Sequence, residues 1–415
     1  MRATRLFSTQ LLQKTLGGVL GVSQAIGAIV CLTAWMVLTA AAPALAKDLP
    51  RLSHRDHLFD LAVSGRTVLA VGYPGVILRS TDGGKTFAEL DLPTREAIFS
   101  VDLNQAGLAV AVGRHGLVAV STDAGLSWTF RDGIGAAPKE PNVDSADPEW
   151  NEPPSGDVYD RTPSLFAVDV LPNGHVVAAG EYGTILLSDD AGNSWQRRSY
   201  SREIYTPITD QPPAGRRGRH GRTSRNSEDS SDQDSPPMWA DDRDRSLEEL
   251  NPDAADEARF TDLVFADPLH GWLVGEFGMV LRTHDGGVTW QRIATGTEAV
   301  LYAVAASSPN HVMVAGSGGL LLESHDAGTH WKTLATPSRE NLFGLSLTSS
   351  RATVVGARGV VLTRKGRGSF EQAEPPVYAP LTAVREQRGA RHISGARGHL
   401  LRLTDDGKFH LISGE

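Results

Sequence analysis

Gly275 to Trp290 reads GEFGMVLRTHDGGVTW, a stretch that decides the fold because the chain repeats it. Gly72 to Phe87 reads GYPGVILRSTDGGKTF, and Gly113 to Trp128 reads GRHGLVAVSTDAGLSW. Gly180 to Trp195 gives GEYGTILLSDDAGNSW and Gly316 to Trp331 gives GSGGLLLESHDAGTHW. Two weaker copies, GARGVVLTRKGRGSF from Gly356 and GARGHLLRLTDDGKF from Gly395, bring the total to seven. The copies start 41, 67, 95, 41, 40 and 39 residues apart. That spacing describes a unit of about 41 residues interrupted by two insertions.

Each part of the copy has a local physical role. In Ser/Thr-x-Asp-x-Gly-x-x-Trp the carboxylate accepts N–H groups of its own turn, the glycine supplies positive φ and the aromatic packs beneath. This Asp-box is a hairpin between the third and fourth strands of a unit. It gives Asp82, Asp123, Asp190, Asp285 and Asp326 a structural role in place of a catalytic or calcium-binding one. The last two copies lack the full motif, which predicts looser turns there. The Gly-x-x-Gly reverses the chain between runs such as Val176 to Ala179 and Val76 to Arg79. Short runs divided by Gly and Asp at even intervals are hairpins of an antiparallel meander. A lone four-stranded sheet cannot bury both faces, and seven alike units close most economically into a ring. The expected fold is all-β: a seven-bladed β-propeller of four-stranded antiparallel blades with two polar, disordered insertions.

Outward from the repeats, the flanks and insertions are of other kinds. Arg2, Arg5 and Lys14 precede an uncharged stretch from Ala25 to Ala42, and Ala44-Leu45-Ala46 fits a signal-peptidase site. Residues 1–46 therefore read as a signal peptide, or as an N-terminal membrane anchor, with a single propeller over 47–415 and an exported, periplasmic location. Cys31 is the only cysteine and lies inside the leader, so disulfide, CxxC and cysteine-zinc chemistry are excluded from the exported part. The insertion at 133–163 is acidic and Pro-rich; that at 201–258 holds a basic run and then an acidic, Ser-rich part. Arg216, Arg217, Arg219 and Arg222 in that run could touch anionic lipid, or pair with the acidic part beside them. A formal net charge of −9 argues against nucleic acid as a partner.

The seven units, Gly-x-x-Gly-x-Ile/Val-Leu-x-Ser/Thr-x-Asp-Gly-Gly-x-Thr-Trp, resemble the Ycf48/HCF136 family of photosystem II assembly factors. The similarity runs from about His57 to Ile412. It implies an exported seven-bladed propeller that binds newly made membrane-protein subunits without catalysing a reaction. The blade motif specifies fold more closely than client.

Blade geometry puts the Gly-x-x-Gly turns and both insertions on one face, opposite the Asp-boxes. The middle residues of those turns are the candidate partner-binding set: Tyr73, Arg114, His115, Glu181, Tyr182, Glu276, Phe277, Arg358 and Arg397. On a closed ring they form a basic-aromatic arc and an acidic-aromatic arc, a composition suited to a protein or peptide partner. The expectation is a monomeric, non-catalytic docking platform or assembly factor for a membrane or envelope protein, with no cofactor and no metal. One alternative is an accessory subunit of an envelope transporter. Another is an Asp-box glycosidase of the sialidase kind, although the N-terminal Arg-Ile-Pro of such enzymes is missing and the histidines are scattered.

Overall fold

The computed structural model describes residues 56–131, 162–205 and 258–414. The chain divides into Met1–Lys47 and Asp48–Glu415, and every described residue belongs to the second unit. Residues 1–55 with Cys31, most of both insertions, and Arg216, Arg217, Arg219 and Arg222 lie outside the described residues.

Seven antiparallel sheets of consecutive strands make the blades, each starting with its innermost strand. These innermost strands are His57–Ser64, Ile98–Leu103, Leu165–Val170, Phe260–Phe265, Leu301–Ser308, Leu342–Leu347 and Leu381–Gln387. Each packs beside the next, and the seventh packs beside the first, which closes the ring around a central channel. Second strands such as Ala109–Gly113 and Val176–Gly180 are buried at every residue. They are continuous apolar runs because a neighbouring blade covers each of their faces. Side chains such as Ile77, Ile98 and Ile185 reach zero exposure, each worth ~1.5–3 kcal/mol of burial. The outermost strands of blades one and five, Ala88–Glu89 and Lys332–Thr333, are only two residues long and exposed, which leaves little open edge for pairing with another chain.

Blade four departs from the four-stranded expectation. Tyr200–Tyr205 adds a fifth strand that runs parallel to Trp290–Ile293. The sequence reading put residues 201–258 in a polar insertion, so its first residues are corrected to sheet. The physical reason is the edge it covers: Tyr200 packs edge-on to Phe260, with ring centroids 5.8 Å apart. At the other end of that insertion Ala258 is fully buried in the core.

Among the described residues each blade is built from strands consecutive in the chain, and no strand is exchanged at the closure. Thr382 Oγ1 donates to the Leu58 carbonyl at 2.8 Å, and Arg385 Nη2 to Asp60 Oδ1 at 3.1 Å. The Gln387 carboxamide, oriented with its nitrogen toward the Gly65 carbonyl, pairs with both backbone groups of Gly65 at 2.6 and 3.1 Å. The apolar cluster at this seam draws Leu58, Leu61, Val68, Ala70, Leu78 and Phe87 from blade one but only Leu400, among fully packed residues, from blade seven. Blade seven instead buries Arg391, His392, Ser394 and His399.

Candidate functional site

The turn glycines explain why the Gly-x-x-Gly faces gather around the channel mouth. A Cβ at Gly72 or Gly113 would collide with the carbonyl of His57 or Ala97, at the entry to the innermost strand of the same blade. The following N–H donates to that entry: Arg114 to the Ala97 carbonyl at 2.9 Å, Glu276 to Arg259 at 3.1 Å, Ala396 to Pro380 at 2.9 Å. The next residue is left-handed in six blades: His115, Tyr182, Phe277, Gly318, Arg358 and Arg397, with φ between 53° and 65°. In blade one the Tyr73–Pro74 peptide is cis.

The closed ring brings blades six, seven, one and two together, so Arg358, Arg397, Tyr73, Arg114 and His115 follow one another along one arc. All five are exposed. Arg358 reaches Glu340 at 3.6 Å and His115 reaches Glu96 at 3.8 Å. Tyr182 and Phe277 are exposed on blades three and four. Their neighbours Glu181 and Glu276 are committed elsewhere: these carboxylates accept the backbone N–H of Ser164 at 3.0 Å and of Arg259 at 3.1 Å. They anchor the chain entering the innermost strand. Tyr378, 90% exposed, lies beside the Gly359 turn in the connection to blade seven. Sequence reasoning missed it, although a tyrosine set between Pro376 and Pro380 was a visible signal.

The channel lining was also missed. Each innermost strand has a β-bulge near its start: Phe59, Phe99, Thr261, Tyr302, Phe343 and Thr382 are skipped in pairing with the second strand, as is Phe166. A bulge re-aims its side chain. Phe59 contacts Phe99 at 5.5 Å, Phe99 contacts Phe166 at 4.9 Å, and Tyr302 contacts Phe343 at 5.2 Å, all across blade boundaries. Arg259 lies over the Phe166 ring at 5.2 Å.

Deeper along the channel, carboxylates join one blade to the next. Asp60 accepts Val101 N–H at 3.2 Å, Asp102 accepts Val170 at 2.8 Å, Asp169 accepts Phe265 at 2.7 Å and Asp262 accepts Val304 at 2.9 Å. An innermost strand is a sheet edge whose unpaired N–H groups would be costly to bury unsatisfied, and the neighbouring carboxylate satisfies one in each. Burial pushes Asp262 up to about 6 despite the opposing pull of Arg385 and these N–H groups. Burial also raises Asp102, and raises Asp169 further because the charge of Asp102 lies beside it. For Arg385 burial acts downward, but the four carboxylates outweigh it and hold the guanidinium charged.

On the opposite face the Asp-boxes are fully bonded turns. Asp123 accepts from Ser121 Oγ at 2.8 Å, Leu126 N at 3.0 Å, Ser127 N at 2.9 Å and Ser127 Oγ at 2.6 Å. Burial would raise it, but these donors win and hold it at about 2. Asp82, Asp190, Asp285 and Asp326 bond in the same pattern. His311, Glu323 and His325 cluster on this face with metal-ligand atom types within 4.8 Å of one another. Arg364 already holds both Glu323 oxygens, at 2.6 and 3.1 Å. Burial would raise Glu323, yet Arg364 and His311 hold it at about 2, so the arrangement works as an ion pair.

Residues 248–335 match the family model described as photosynthesis system II assembly factor YCF48. That match spans blades four and five of the seven-bladed propeller. A solved structure described as YCF48 bound to D1 peptide is similar at TM-score 0.56 and 17% identity, covering 87% of this chain and 99% of that one. YCF48 from Cyanidioschyzon merolae is similar at TM-score 0.57 and 14% identity, covering 87% and 98%. An ancestral GH74 enzyme shares the fold at TM-score 0.51 and 12% identity, covering 89% of this chain and 48% of that one. Among curated proteins, the uncharacterized protein YkuO of Bacillus subtilis (strain 168) is 32% identical over 82 residues, 20% of this chain. The chain spans 27% of the length of YkuO.

Proposed function

We propose that the chain is an exported, non-catalytic docking platform that captures a peptide segment of a membrane or envelope protein on its Gly-x-x-Gly face. The observation that carries this reading is the choice of residue at the left-handed turn positions. Gly318 fills this place in blade five at no steric cost, whereas His115, Tyr182, Phe277, Arg358 and Arg397 adopt the same backbone with bulky side chains. Each such residue costs roughly 1 kcal/mol of strain. Five exposed side chains held at that cost around one channel mouth are those of an interface, where Arg and Tyr anchor partners. The bound D1 peptide of one YCF48 structure supports a peptide of a membrane protein as the class of ligand. The arginine arc favours a segment with carboxylates, such as an acidic chain terminus.

Crosslinking in intact envelopes followed by mass spectrometry tests this. The wild-type chain should yield a specific membrane-protein crosslink, and R114Q/R358Q/R397Q should lose it while keeping its circular dichroism and melting temperature. Capture unchanged in that variant would overturn the proposal. So would robust turnover of aryl glycosides, which the carboxylates bonded to blade backbones are not arranged to support.

A further inference from the structure

The seam that closes the ring is built differently from the four seams that join blades one to five. Under the Asp-box glycine of blades two to five lies a side chain from the second strand of the blade before it. Leu69 lies against Gly125, Val110 against Gly192, Val177 against Gly287 and Trp272 against Gly328. At the closing seam the place under Gly84 is taken by His392. The imidazole is only 3% exposed, and no hydrogen bond to it is present among the described residues.

The arginine before the Asp-box shows the same departure. Arg79 Nε donates to the Ala124 carbonyl at 2.9 Å and Arg282 Nη1 to Ala327 at 3.1 Å, which ties each blade to the left-handed turn residue of the next. Arg402 holds the equivalent place in blade seven, and its Nε is buried with no partner. Between His392 and Arg402 opens a cleft of about 360 Å³, with Arg66, Lys85 and Arg388 also on its walls. Its one carboxylate, Asp82, already accepts from Ser80 Oγ, Lys85 N, Thr86 N and Thr86 Oγ1. None of the four cations has an ion-pair partner among the described residues.

We propose that this cleft is a binding site for a phosphate-class oxyanion, either phosphate itself or a phosphomonoester. Four cations against one carboxylate leave an excess of three positive charges, which matches a doubly charged anion better than a single carboxylate. The Arg402 fork suits two oxygens of one tetrahedral group. His392 supplies a ring nitrogen at the floor, where Leu69, Val110, Val177 or Trp272 does the packing in the seams between blades one and five. The volume lies in the range of small-molecule pockets, so an organic group attached to the phosphate also fits. The site is on the Asp-box face, away from the docking face, and stands or falls independently of the function proposed above.

The test is calorimetry on the full chain in phosphate-free buffer at fixed ionic strength. Inorganic phosphate, glycerol 3-phosphate and acetate are titrated in turn, with the His392 ring followed by NMR. Saturable one-to-one binding of a phosphate ligand with a moving His392 signal is expected. R388Q/R402Q should bind at least ten-fold more weakly. R66Q/K85Q, which changes only exposed side chains and keeps the fold, should bind several-fold more weakly. Tighter binding of glycerol 3-phosphate identifies a phosphomonoester site, and equal binding a site for free phosphate. Absence of saturable binding, acetate binding as well as phosphate, an unmoved His392 signal, or unchanged affinity in both variants would each overturn the proposal.

Discussion

Replacing His392 with leucine isolates the physical cost of a buried imidazole. Burial, reinforced by the positive charge of Arg402, pushes the ring down to about 4 from 6.5. Arg66, Lys85, Arg388 and Asp82 also face the cleft, and four of these five neighbours are cationic. The unfolded chain takes up a proton as pH drops below about 6.5, whereas the folded chain resists until about 4. Stability is therefore lost as pH falls through that window. The loss reaches roughly 3.4 kcal/mol below both values and is already about 2 kcal/mol at pH 5. Leucine does not titrate, and Leu69 occupies the equivalent place under Gly125. In phosphate-free buffer, H392L should match or exceed wild type at pH 7.5 and gain on it by about 2 kcal/mol at pH 5, a widening of roughly 4 °C in melting temperature. Thermal melts of both proteins at fixed ionic strength between pH 8 and 4.5 give the difference directly, which removes groups that titrate in both. A gap that stays constant across this range would refute the reasoning.

Asp262 works with the opposite sign. Burial raises it to about 6, so the folded chain holds a proton that the unfolded chain gives up. Its contribution is present at low pH and lost as pH rises toward 6, about 1.4 kcal/mol between pH 5 and 8. Carboxyl NMR should place its midpoint near 6, and a midpoint below 4 would contradict the buried environment. Arg385→Met removes the guanidinium facing Asp60, Asp102, Asp169 and Asp262. A loss of about 1–3 kcal/mol is expected in urea unfolding, because half-buried carboxylates are left without their counter-charge. A loss under about 1 kcal/mol would mean that channel water screens these charges. Asp123→Ala breaks four turn hydrogen bonds and should cost about 2 kcal/mol, read from the urea midpoint at unchanged m-value.

The propeller was legible because its punctuation is local. Every donor to Asp123 lies within four residues of it, so turn chemistry appears in sequence as fixed offsets. The channel was illegible because the bulge breaks the two-residue period. In Leu165–Val170 strict alternation sends Phe166 and Asp169 to opposite faces, yet the skipped residue lets both face the channel. Arg385 and Asp60 are 325 residues apart, so no window of sequence contains the pair. The fifth strand of blade four was hidden likewise, since Tyr200 pairs with Trp290 across the second insertion. Of the turn residues, Arg114, Tyr182, Phe277, Arg358 and Arg397 could be read as exposed from their positions. The engagement of Glu181 and Glu276 could not, because their N–H donors lie 17 residues upstream.

Closure without strand exchange has a topological consequence. The junction between the last blade and the first is one of seven side-by-side contacts, and no strand among the described residues is threaded through it. A circular permutant that joins the ends of blades seven and one by a short linker and opens the chain between blades five and six keeps every sheet intact. Such a permutant would also move the break away from the polar joint built by His392 and Arg402 to one packed by Met313, Leu342 and Leu362. The ring then behaves as a clasp whose hinge point can be chosen by where the gene begins.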